Sequence, residues 1–227
     1  MTPLDQLLAL QDPGKAAGMA AYHKAPRRYL GIAVPVLTDL AGEWRATRST
    51  DERVALADSL WQTDIHEARI AAAKLLTQAR LRPDDGPAWA LIASWVPQFD
   101  GWALADHACD AGNRRLLADP SRIATVETWT RSGHMWSRRA ALVITLPWAR
   151  MNNLKPADQA IRARVLDWAA GYLCDPDWFI HKAVAWWLRD LSKHDATLVR
   201  TFLDQHGARM KLFARKEAAR YLAPTAP

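Results

Sequence analysis

Cysteine is nearly absent: Cys109 and Cys174 are the only two in 227 residues. Neither falls in a C-x-x-C or zinc-ligand spacing, which argues against a disulfide framework and a structural zinc. Both are expected to be buried thiols on helices, in a reducing compartment. The seven histidines, His23, His66, His107, His134, His181, His194 and His206, make no H-E-x-x-H and no Cys/His cluster, so no metal is expected. Glycine is sparse at 10 residues and β-branched runs are few, which argues against a sheet protein. There is no G-x-S-x-G, no P-loop and no G-x-G-x-x-G, so nucleotide hydrolysis and nicotinamide chemistry are disfavoured and no cofactor is expected. No apolar run is long enough to cross a bilayer. The start, Met1-Thr-Pro-Leu-Asp5, lacks the basic and apolar segments of a signal peptide. A cytoplasmic protein with no membrane partner is the expectation.

What the chain does have is positive charge, tryptophan and helical periodicity. A net charge of +6 and a pI near 9.6 favour an anionic partner, nucleic acid first. Twelve tryptophans call for an explanation, either as space-filling between helices or as exposed stacking faces. Periodicity predicts helices over about 3–11, 14–24, 35–48, 51–62, 65–80, 87–95, 101–118, 121–132, 135–148, 157–173, 178–193, 195–206 and 210–222. Ser49-Thr50-Asp51-Glu52 reads as a helix start, and Asp119-Pro120-Ser121 and Asp175-Pro176-Asp177 read as stops followed by new caps. Short connections imply antiparallel helix pairs. Ile65, Trp102, Trp136, Phe179 and Phe213 recur at separations of 37, 34, 43 and 34 residues, in the range of helix-pair repeats. At Ile65, Trp136, Phe179 and Phe213 the bulky lead is followed by basic residues and an Ala-rich stretch that lets helices approach closely. The expectation is one all-α domain over 1–227, a HEAT-like or armadillo-type solenoid.

Candidate site residues come from the same register. Trp102 and Asp106 lie one turn apart on one helix face, in an acidic stretch that includes Asp100 and Asp110. A carboxylate inside a basic surface suits a developing sugar cation. Arg138 and Arg139 point in different directions, so one can pair internally while the other faces a ligand. Trp186 and Trp187 diverge by about 100° and at most one faces a ligand, while Asp190 reads as a solvated charge.

The segments Met19-Ala-Ala-Tyr22-His-Lys24 and Tyr29-Leu-Gly31-Ile-Ala-Val-Pro35 resemble the N-terminal part of the AlkD-type DNA alkylation repair family. So do Asp100-Gly-Trp102-Ala-Leu-Ala-Asp106, Trp136-Ser-Arg-Arg139 and Phe179-Ile-His-Lys182-Ala-Val-Ala-Trp186-Trp-Leu-Arg189, in order, from about Ala17 to Tyr221. The resemblance implies a C-shaped stack of HEAT-like helix pairs that holds double-stranded DNA in a concave groove. It further implies a glycosylase that excises positively charged N3- and N7-alkylated purines, acting as a monomer. On that basis Asp106, Trp102, Trp186 and Arg139 carry catalysis. Arg138, Lys182, Arg215, Lys216, Lys24, Arg27 and Arg28 extend the DNA contact. Family members often carry Asp directly after the first tryptophan, where this chain has Ala103. The alternative is a non-catalytic HEAT-type module that binds DNA or protein.

Overall fold

Ser49 begins a helix because its hydroxyl accepts the Glu52 N–H while the Glu52 carboxylate accepts the Ser49 N–H, satisfying two donors that the first turn would otherwise orphan. Thr2 and Asp5 do the same at the first helix. The computed structural model, which describes residues 1–223, is helical throughout those residues. No strand forms among them, and a lone parallel bridge joins Arg28 to Ile65. The chain divides into two compact units, Met1–Pro120 and a second that begins at Ser121.

The first unit contains α1 (Pro3–Ala9), α2 (Pro13–His23), α3 (Val34–Ala46), α4 (Thr50–Gln62), α5 (His66–Leu75), α6 (Gly86–Trp95) and α7 (Trp102–Ala118). The second contains α8 (Ile123–Trp129), α9 (Met135–Val143), α10 (Leu146–Arg150), α11 (Pro156–Gly171), α12 (Trp178–Ser192), α13 (Ala196–His206) and α14 (Leu212–Ala218). The all-α expectation holds. The largest differences from the expected boundaries fall in two segments. The segment expected over 135–148 breaks into α9 and α10, because Pro147 near the start of α10 has no N–H to continue the ladder. The segment expected over 65–80 stops at Leu75, and Ile65 is its N-cap residue and not its first turn. Cys109 is buried as expected, but Cys174 lies exposed on a 3₁₀ turn, with Arg209 Nη2 3.3 Å from its sulfur.

Each unit is organised around one buried helix. In the first it is α5, which packs on α3, α4 and α7. Ala68, Ala71, Ala72 and Ala73 leave no side chain to hold those neighbours off. In the second it is α12, which meets α9, α10, α13 and α14 and carries Ala183 and Ala185. Five of the twelve tryptophans fill the core: Trp44, Trp61, Trp95, Trp148 and Trp187 are buried. Trp61 and Trp95 stack at 4.2 Å, and the buried Arg69 lies 4.7 Å over the Trp61 ring while its Nε donates to the Trp61 carbonyl.

Glu67 is the most consequential polar group in the first core. It is 1 % exposed, and its two oxygens accept the N–H groups of Leu30, Gly31 and Ile32 at 2.8, 2.7 and 3.4 Å. Gly31 is required at this crossing: its φ is +81°, and a Cβ would come within 2.7 Å of the Ala16 nitrogen. Next to this carboxylate sit imidazoles with little access to water. Burial drives the His66 pKa down to about 3, and burial followed by the nearby Lys74 charge drives His107 down to about 4. Both are therefore neutral in the folded protein near neutral pH.

Two stability outcomes are expected. Glu67→Gln replaces an acceptor-only group with an amide that must turn a donor toward backbone N–H groups. It should lower unfolding free energy by about 3 kcal/mol, read as a lower urea midpoint with an unchanged slope. Acid should also weaken the fold. Unfolded imidazoles take up protons near pH 6.5, whereas folded His66 and His107 do so only near 3 and 4, so stability is full above about 6.5 and falls as pH drops through that window. The slope is at most about 1.4 kcal/mol per pH unit for each group, and His66→Phe should flatten the dependence of melting temperature on pH.

Candidate functional site

In the first unit the site residues gather at the start of α7. Trp102 is its first residue, and Asp106 stands one turn later; both are half-buried. The preceding acid, Asp100, does not serve a ligand. It accepts Nε and Nη2 of Arg27 at 3.1 and 2.5 Å, and Arg27 Nη1 reaches Asp64 at 3.0 Å. The Arg27 side chain is 4 % exposed, so the guanidinium ties its loop to α7 and is withdrawn from the DNA-contact role expected of it. Lys24 and Arg28 remain exposed; Lys24 is the left-handed C-cap of α2, and Arg28 donates to Gln11.

Trp102 is backed by rings from the N-terminal segment. The His23 ring lies 5.3 Å away and Tyr22 6.0 Å away, edge-on. Behind His23 come Tyr29, stacked at 6.0 Å, and His66, at 4.7 Å. Tyr22 is 69 % exposed, so an unshielded phenol stands beside the indole. Composition and spacing gave no reason to select Tyr22 or His23. Their one signal was membership of the Met19–Lys24 segment of the family resemblance.

In the second unit the two neighbouring arginines divide their work. Arg138 Nε and Nη2 meet Asp175, Nη2 also meets Asp177 at 2.8 Å, and Nη1 meets the carbonyls of Ser132 and Gly133. Those acids hold its pKa above the ordinary arginine value, first through the hydrogen bond that Arg138 donates to Asp175. The cap expected at Asp177 is accordingly absent, because its carboxylate is taken by Arg138. Arg138 is thus an internal clasp between the α9 and α12 starts, and its expected role on DNA gives way to that one.

Arg139 is 5 % exposed and donates to the Phe179 carbonyl at 3.1 Å. Its guanidinium lies 5.9 Å from the Phe179 ring and 6.0 Å from the Trp186 ring. Trp186 is half-exposed, whereas Trp187 is wholly buried, so one indole of the pair faces outward. Asp190 is not the solvated charge that spacing suggested. It is 6 % exposed and accepts Trp186 Nε1 at 3.2 Å, Arg150 at 2.7 Å and Arg189 at 3.2 Å. Lys182, Arg215 and Lys216 are exposed cations. Lys182 lies 4.5 Å over Trp178, itself 52 % exposed and 5.8 Å from Phe213; spacing singled out Phe213 but not Trp178.

Among the described residues no group of three His, Cys, Asp or Glu side chains is placed to hold a metal ion, and no helix is long and apolar enough to cross a membrane. The model of a family described as DNA alkylation repair enzyme matches residues 4–222. Solved structures share the fold. A protein of Enterococcus faecalis described as a predicted DNA alkylation repair enzyme superposes with a TM-score of 0.78 at 20 % identity, over 95 % of this chain and 98 % of that one. AlkD2 of Streptococcus mutans gives 0.63 at 18 % identity, over 85 % and 92 %. The smu.31 protein of Streptococcus mutans UA159 gives 0.62 at 19 % identity, over 83 % and 92 %. No curated protein matches. The family model spans nearly the whole chain, and the protein belongs to the DNA alkylation repair enzyme family.

Proposed function

We propose that the protein is a DNA glycosylase that excises N3- and N7-alkylated purines from duplex DNA. The observation that carries this reading is the pairing, in a member of this family, of a half-exposed indole and a carboxylate one turn apart at the start of α7. Alkylation at N3 or N7 gives the purine a formal positive charge and makes it a good leaving group. The base then departs with the bonding electrons, no general acid has to protonate it, and positive charge develops on the deoxyribose.

Such a transition state is favoured by a fixed negative charge near C1′ and by electron-rich ring faces. Asp106 supplies the charge and orients the attacking water, and Trp102 presents a face to the sugar. In the second unit Trp186 has an outward indole of its own, held by Asp190 and near Arg139, that is suited to stack on a ligand. The exposed cations Lys24, Arg28, Lys182, Arg215 and Lys216 meet phosphates and set register along the backbone.

An excision assay on a duplex with one 7-methylguanine tests the reading. Asp106→Asn should slow single-turnover release by about 10²–10³ while leaving duplex affinity nearly intact. Equal rates in the two proteins would remove Asp106 from catalysis, and no excision by the parent protein would leave a non-catalytic binding module. Affinity for the duplex should also weaken steeply with salt, since each phosphate contact releases counterions, with a log–log slope of about −0.9 per contact. A flat affinity between low and moderate salt would remove the phosphate contacts.

A further inference from the structure

The function proposed above uses Trp102 but leaves unexplained the two imidazoles behind it. His23 is the last residue of α2, and the left-handed Lys24 that follows, with φ of 57°, ends the helix there. Its ring is the hub of the cluster: it contacts Tyr29, His66, Tyr22 and Trp102, with centroids between 4.7 and 6.0 Å. Tyr29 and His66 are buried, whereas Trp102 is half-exposed. The indole is therefore connected to the core through the His23 ring. The Nδ1 atoms of both His23 and His66 are buried without a hydrogen-bond partner, so these rings sit in the cluster as stacking surfaces and not as members of a polar network.

We propose that neutral His23 is the positioning residue that sets the plane of Trp102, and that a proton on His23 disarms the site. The inference rests on the glycosylase reading for its consequence in catalysis, but the coupling of His23 to Trp102 stands apart from it. Two imidazoles 4.7 Å apart resist carrying charge together, and His66, at 3 % exposure, is the harder of the two to ionise. Burial lowers the His23 pKa, and the Glu67 carboxylate on α5 opposes that shift. The other charged or titratable groups around the cluster are Arg27 in the loop, Asp100 just before α7, and Asp106 and His107 on α7. Arg27 and Asp100 are paired with each other, and His107 is held neutral by burial. Of the three imidazoles, the one left to take up a proton in mild acid is His23. An imidazolium 5.3 Å from the Trp102 centroid would draw on the same indole π-density that is to face the sugar, and it would place a like charge beside a developing cation.

The decisive experiment labels the protein with 5-fluorotryptophan and follows the Trp102 resonance, assigned by its loss in Trp102→Phe, from about pH 8 to about pH 5. The expected result is a single-proton inflection below about 6.5 that is missing in His23→Phe, with the remaining fluorotryptophan resonances still dispersed as in the folded protein. A Trp102 resonance that does not move, or that keeps its inflection in His23→Phe, overturns the proposal. In parallel, His23→Ala should slow single-turnover release of 7-methylguanine at about pH 7.5 by about ten- to a hundredfold, with Phe at the same position recovering most of that loss and abolishing the acid limb of the parent's pH profile. An unslowed Ala variant, or an acid limb unchanged in the Phe variant, also overturns it. Should the parent excise nothing, the glycosylase reading fails, and the resonance titration still decides whether His23 governs Trp102.

Discussion

A carboxylate without water governs the Trp102 end of the first unit. Glu67 is held by three consecutive backbone N–H groups of the 30–32 segment, and a charge so buried is tolerable only because those donors surround it. The clamp fixes where the N-terminal segment crosses α5. That crossing in turn places Tyr29 against His66, His66 against His23 and His23 against Trp102. The indole's orientation is thus the last link of a chain whose first is electrostatic. Arg27 adds a second tie from the same segment, to Asp64 before α5 and to Asp100 before α7. The loop is held by ionic contacts at two points, which leaves α7 free to present Trp102 and Asp106.

The second unit reaches a comparable end by a different arrangement. There the start of α9 carries Arg138, and the acids before α12 receive it, so the cations that run against the helix dipole at these starts are partly neutralised by the next connection. Trp186 is steadied from below by Asp190, and Asp190 is itself neutralised by Arg150 and Arg189. Arg189 continues to Glu217 on α14. An indole whose N–H is taken by a fixed carboxylate keeps its ring face, and not its edge, available for another molecule.

The helices were legible because periodicity and capping are local. Ser49 with Glu52 marks a start by itself, and the alanines of α5 and α12 announce close packing. That Trp186 and Trp187 divide between surface and core followed from the 100° step, while the choice of Trp186 as the outward one came from the family resemblance. What spacing cannot show is which charge meets which. Asp190, Arg27 and Arg138 each looked like a surface charge, and each has partners between 37 and 73 residues away or on a helix that sequence does not rank. Glu67 was invisible for the same reason, since its partners are backbone groups that carry no side-chain signature. Cys174 looked buried because it falls in a helical pattern, and the 3₁₀ turn that exposes it has no strong local signal.

These pairings bear on what a basic protein can offer to an anionic partner. The net charge of +6 does not describe a uniformly cationic surface, because Arg27, Arg69, Arg138 and Arg162 are largely withdrawn into ion pairs or onto backbone carbonyls. Cations that stay exposed include Lys24 and Arg28 in one unit and Lys182, Arg215 and Lys216 in the other, together with arginines such as Arg80, Arg114, Arg131 and Arg164. Buried arginines therefore shape the two units, and exposed arginines and lysines together provide the attraction. The buried role suits a planar guanidinium, which holds fixed, bidentate contacts inside a fold. A carboxylate such as Asp106 then need not abolish attraction to a polyanion, because Arg27, Arg69, Arg138 and Arg162 have already been matched by acids of their own.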